Sequence, residues 1–188
     1  MEYLEVLNAN GSKTGVKKLK SDVHKQGDWH RSVHVWLMNS QNQILIQKRA
    51  PGKAAFPNHW DISSAGHVVA GEDSLTSALR ETQEELGLTL NPQDLIYLFT
   101  NTRSLVLNSG SLIENEIQDV FLVKKDVKLS DLRLQKKEVS EIKFVGLKKL
   151  KQMIDRKTET FVPHPDEYRK LFACLENIKL KKTKSYEK

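Results

Sequence analysis

The stretch GHVVAGEDSLTSALRETQEELGL, residues 66–88, restricts the fold more than any other, because it implies a helix, its end, and a chemical use for one face. Leu75, Ala78, Leu79, Thr82 and Leu86 recur at helical spacing, which predicts a helix over 74–86 with an apolar side to bury. Gly87 follows, where a helix ending in a left-handed residue favours glycine. Opposite the leucines, Glu81, Glu84 and Glu85 stand at i, i+3 and i+4 and share one strip. Three carboxylates there repel by roughly a few tenths of a kcal/mol per pair. Packing gives no reason to keep them together, whereas a hard divalent cation does: Mg²⁺ takes oxygen ligands, with water and phosphate oxygens completing its shell. Gly66 and Gly71, in the loop before the helix, let main-chain groups approach a metal or phosphate. Arg80, with Glu72 nearby, is placed to fix one carboxylate by a forked ion pair.

Around this helix the chain reads as a mixed α+β fold. Strand-like runs occur at 3–8, 30–39, 43–49, 94–102, 114–123 and 141–147, separated by turn signals such as Asn10-Gly11 and Ser109-Gly110-Ser111. Residues 34–47 read as a hairpin. A further helix is expected from Pro165 to Lys179, with Tyr168, Leu171, Phe172, Leu175 and Ile178 on one side, and a shorter one from Lys148 to Ile154. Strands, a central helix, more strands and a terminal helix amount to helices packed on a curved sheet.

A chain of 188 residues has room for one domain with a full core, here expected over 1–178. The end KLKKTKSYEK, 179–188, sets five lysines against one glutamate and reads as a disordered tail. It supplies much of the net charge of +6, but no aromatic platform accompanies it, so nucleic-acid binding is not expected. Glu2 and Glu5 occupy the place where a secretory leader is basic, and no apolar run reaches the ~18 residues of a membrane span. Cys174 is the one cysteine, which excludes an internal disulfide and a cysteine-rich metal site. Together these features read as a cytoplasmic protein with no membrane partner.

The spacing of Gly66, Glu72, Arg80-Glu81, Glu84-Glu85, Gly87 and the aliphatic Leu88 matches the Nudix box. Seven fixed positions would coincide in such a chain with a probability on the order of 10⁻⁶. Thr82 departs from the pattern, standing where the family usually has a bulky aliphatic. Outside the box, ILIQKRAPGKAAFPNHWDISSAGHV resembles the lead-in of the subgroup related to isopentenyl diphosphate isomerase. The resemblance implies a mixed sheet in an α/β/α sandwich and hydrolysis of a diphosphate linkage in a small organic substrate, with Mg²⁺ or Mn²⁺. Glu81, Glu84 and Glu85, with the Gly66 carbonyl, are the metal candidates. The general base is Glu81 or Glu84, or Glu116 from outside the box, and Arg80 orients. Arg49 and Lys48 are candidate contacts to substrate phosphate.

A second cluster follows from the same resemblance. His24, His30, His67, Glu114 and Glu116 occupy the places that hold a divalent metal in the isomerases, and Glu114 and Glu116, two apart on a strand, share a face. The isomerases carry a cysteine one residue before the Gly-His pair. Here that position is Ala65, and a methyl group shuttles no proton. Hydrolysis is therefore the leading expectation, with an isomerase-like enzyme or a diphosphate-binding module without turnover as alternatives. His34 reads as a structural imidazole, and Trp36, Trp60 and Phe56 as core. The loops 102–113 and 50–60 are expected to choose the organic part of the substrate.

Overall fold

The computed structural model describes residues 1–184, with side chains through Glu176. The elements run β1 (Tyr3–Leu7), β2 (Lys13–Leu19), α1 (Lys20–Gln26), β3 (Trp29–Met38), β4 (Gln43–Arg49), β5 (Trp60–Asp61), β6 (Ser64–His67), α2 (Ser74–Leu86), β7 (Leu95–Leu107), β8 (Leu112–Lys124), β9 (Val139–Gly146), α3 (Leu147–Asp155) and α4 (Pro165–Lys184). The six expected strands and three expected helices are present; β2, α1 and the short β5 and β6 are additions. The lysine-rich tail expected at 179–188 lies outside the residues whose side chains are described. Among the described residues no helix is long and apolar enough to cross a membrane.

β3 organises the sheet. It pairs in parallel with β8 along its whole length, from Trp29↔Asn115 to Met38↔Lys124, and antiparallel with β6. It meets β4 only at Met38↔Ile44, the base of the expected hairpin. β4 then turns away to pair with β9 and β5. The two strands splay, and the gap between them becomes the cleft that carries the polar residues described below. β7 and β8 form a long hairpin around a tight turn at Asn108–Gly110, so residues 102–113, expected as a substrate-selecting loop, are strand on both sides of that turn. Cross-strand pairing accounts for the difference: Arg103 faces Glu116 and Leu105 faces Glu114.

Both faces of β3 are covered, as a three-layer sandwich requires. Val33, Val35 and Leu37 pack with Leu45, Ala78 and Leu86 under α2, whereas Trp36 and Met38 pack with Leu150, Tyr168 and Leu171 under α3 and α4. Strict alternation along one strand thus feeds two cores. Helix α2 begins at Asp73, whose side chain accepts from the Thr76 N–H, and ends at Gly87 in the left-handed region, φ 67°. Thr82 is fully buried, and its hydroxyl donates to the Ala78 carbonyl at 2.8 Å, so the departure from a bulky aliphatic leaves no orphan polar group.

Candidate active site

A cleft of about 200 Å³ opens where β3 and β4 diverge, with α2 on one wall. The box glutamates are not one solvated strip. Glu84 is half exposed at 48%, Glu81 is at 13%, and Glu85 is buried with the core side of the helix. The Glu81 carboxylate rests on Gly66, in the space that a Cβ there would take. Glu85 accepts from the Ala65 N–H at 3.1 Å and from Gln47 Nε2 at 3.2 Å. Burial raises the Glu85 pKa to about 7, and the charge of Glu81 adds to the effect. Burial raises that of Glu81 too, against the pull of Arg80. These carboxylates are short of positive charge, which is the condition a bound cation relieves.

Arg80 ties the group together. Its Nε reaches both Glu72 oxygens at 3.2 and 3.3 Å, Nη1 donates to Glu81 at 2.7 Å and to Glu84 at 3.4 Å, and Nη2 donates to the His67 carbonyl at 3.0 Å. Ser77 Oγ donates to Glu72 at 2.6 Å. The expected orienting arginine therefore joins the helix to the loop that carries Gly66.

The histidine cluster also assembles. Helix α1, only seven residues long, brings His24 to β3 and β6, where ring centroids of His24, His30 and His67 lie 4.9 to 5.2 Å apart. Glu116 Oε1 stands 3.7 Å from His30 Nε2 and 3.6 Å from His67 Nε2. Burial, with the neighbouring His30, lowers the His24 pKa to about 4, and burial lowers that of His67 as well. The His24 and His67 imidazoles are thus neutral near pH 7, the form that ligates a metal. Glu114 sits apart from the three rings, nearer Arg103, with Oε2 at 3.7 Å from Nη2.

The far side of the cleft was not anticipated as part of the site. His34, read as structural, donates through Nδ1 to Glu167 Oε2 at 2.6 Å, while Trp36 Nε1 donates to the other oxygen at 2.8 Å. His164 lies edge-on to His34 and stands 3.3 Å from Asp61, which also takes Arg49 Nη1 at 2.9 Å. Arg49 lines the cleft as expected; Lys48, its neighbour on the strand, points to the opposite face with its Nζ 5.8 Å from the Trp60 ring and does not line the cleft. Trp36 and Trp60 are core, but Phe56 lines the cleft on a backbone with φ 48°, beneath the Arg103 guanidinium. Asp61, Arg103, His164 and Glu167 gave no local signal, because the pairs they form span distant parts of the chain.

Residues 28–165 match the NUDIX domain model. The chain is 42% identical to "Nudix hydrolase 3" of Arabidopsis thaliana over 179 residues, 93% of this chain but 23% of that protein's length. It is 37% identical to an uncharacterized Nudix hydrolase of Listeria innocua over 164 residues, 87% of this chain and 90% of that one. Among solved structures, a Deinococcus radiodurans protein superposes with a TM-score of 0.68 at 22% identity, covering 92% of this chain and 99% of its own, a likeness in fold.

Proposed function

The chain belongs to the Nudix hydrolase family, which acts on diphosphate linkages, and we propose that it hydrolyses such a linkage in a small organic molecule, dependent on Mg²⁺ or Mn²⁺. The observation that carries this reading is the convergence of Glu81 and Glu85 on the Ala65–Gly66 strand end, with Glu84 lining the same cleft and one arginine bracing Glu81. The residues fit a hard cation: they offer carboxylate oxygens, of which Glu85 is buried with no cation paired to it, beside Gln47 Oε1, which among the described residues is buried without a hydrogen-bond partner.

When bound, the cation supplies positive charge that offsets the charge gathering on the phosphate oxygens. Glu81 and Glu85 hold it. Glu84, the most exposed of the three and tied only by a 3.4 Å contact to Arg80, is free to accept the proton of the attacking water. Arg80 keeps Glu81 aimed into the cleft by bracing it against Glu72 and the His67 carbonyl. Arg49, held by Asp61, faces the same space and contacts phosphate. His24, His30, His67 and Glu116 form a second candidate site, whose ring nitrogens and carboxylate would hold a further divalent ion.

Phosphate release, followed across nucleoside diphosphate derivatives, nucleotide sugars and isoprenoid diphosphates with each metal, tests the reading. Glu84→Gln lowers the rate by about 10²- to 10⁴-fold with the fold intact, and full retained activity overturns the assignment. The histidine site also suits an isomerase, but the Ala65 methyl occupies the place of the proton donor. Allylic product from isopentenyl diphosphate, followed by NMR, would favour that second reading.

A further inference from the structure

The basic side of the cleft is mostly neutralised from within. Arg49 is committed to Asp61 and to the Ala55 carbonyl at 3.0 Å, and His34 is committed to Glu167. Arg103 is the exception. Its side chain is 13% exposed, Nη1 reaches His164 Nδ1 only at 3.4 Å, and among the described residues Nη2 is buried with no hydrogen-bond partner. Glu114 is the nearest carboxylate, and its Oε2 stands 3.7 Å from Nη2, beyond hydrogen-bond reach. The guanidinium is held over the Phe56 ring at 5.6 Å, and Phe56 keeps a left-handed backbone that a bulky residue adopts at a cost. A desolvated cation with unfilled donors, propped on a strained aromatic at the wall of a cleft, lacks an acceptor that the protein does not supply.

We propose that Arg103 is a specificity-determining residue, its guanidinium taking an anionic oxygen of the bound substrate. The inference rests on the diphosphate reading above and deepens it. The oxygen belongs either to the diphosphate itself or to a separate phosphate on the organic part, and guanidinium geometry suits both.

Calorimetric titration of the full chain in Mg²⁺ tests this with three probes: methylenediphosphonate, isopentenyl diphosphate and 5-phosphoribosyl 1-diphosphate. For each, wild type is compared with Arg103→Leu and Arg103→Lys, and far-UV circular dichroism checks the fold; Arg103→Gln replaces the leucine variant if that one does not fold. The diphosphate source predicts that all three probes bind about 10- to 100-fold more weakly to Arg103→Leu, with partial recovery in Arg103→Lys. A loss confined to 5-phosphoribosyl 1-diphosphate assigns the oxygen to the separate phosphate. Affinities within twofold of wild type for every probe, or no binding of any probe to wild type, overturn the proposal. Absence of phosphate release from any diphosphate, with binding still dependent on Arg103, sinks the hydrolysis reading and leaves the anion contact standing.

Discussion

A methyl group placed on Gly66 would stand 2.0 Å from the carboxyl carbon of Glu81. No real Cβ tolerates that approach, and the obstacle is a side chain, so Gly66→Ala does not break β6 but turns the Glu81 carboxylate out of the cleft. Affinity for Mn²⁺, read by calorimetry, falls at least about tenfold, and diphosphate hydrolysis falls with it, while the melting temperature moves little. The effect runs through Glu81 alone. Gly66→Ala added to Glu81→Ala therefore costs nothing further, and additive losses would show that the glycine serves the backbone instead.

Glu85 makes metal binding and stability depend on pH together. Its folded pKa, about 7, exceeds the ordinary carboxylate value near 4.5, so between those limits the folded state holds a proton that the unfolded state has released. Without metal, that carboxylate lowers stability progressively as pH rises from about 4.5 through 7. A divalent cation takes the proton's place, so the rise in melting temperature on adding Mg²⁺ grows between pH 5 and pH 8. The buried imidazoles, with lowered pKa values, push the metal-free curve the other way at the acid end. The informative quantity is accordingly the difference between wild type and Glu85→Gln, and a pH-independent difference contradicts the assignment.

Arg80 holds four groups with one planar fork, and lysine has no such geometry. Arg80→Lys keeps the charge but loses the reach to Glu72 and the His67 carbonyl. Hydrolysis is expected to drop more than tenfold, chiefly in kcat, because Glu81 is no longer aimed. Steady-state kinetics separate this from simple loss of binding, which would raise KM with kcat preserved.

What the sequence made legible was local. Glu81, Glu84, Glu85 and Gly87 sit within one helix and its cap, where i, i+3 and i+4 spacing translates directly into a face. That spacing said nothing of depth: Glu85 is buried and Glu84 half exposed, because the core side of α2 reaches further round the helix than the leucines suggest. β2 escaped notice because KTGVKKL interrupts its strand pattern with a glycine and lysines, and α1 because seven residues with Val23 alone buried show no periodicity. The histidines carried a signal only through family resemblance. The far wall had no signal at all, since Asp61 meets His164 and His34 meets Glu167 only after β3, β5 and α4 have packed.

His34 and Glu167 form a fully enclosed ion pair across the β3–α4 interface, with sides 5% and 0% exposed. Burial opposes charge on each, but Glu167 raises the His34 pKa and His34 lowers that of Glu167. The imidazole's contribution is present below its unfolded value near 6.5 and is lost as pH rises through the raised folded value. The carboxylate's is present above about 4.3 and is lost as pH falls through the depressed one. The pair therefore stabilises most between about pH 4.5 and 6.5. Removing one partner, as in Glu167→Ala, strands a buried charge and also the Trp36 N–H, at a cost of about 3–5 kcal/mol by urea denaturation. Replacing both, as in His34→Gln with Glu167→Gln, costs less, because a neutral amide pair preserves the hydrogen bond without the desolvated charges. Should the single and double variants prove equally unstable and their deficits flat with pH, His34 and Glu167 are not an ion pair, and the floor of the cleft is held by packing of Trp36 and Tyr168 alone.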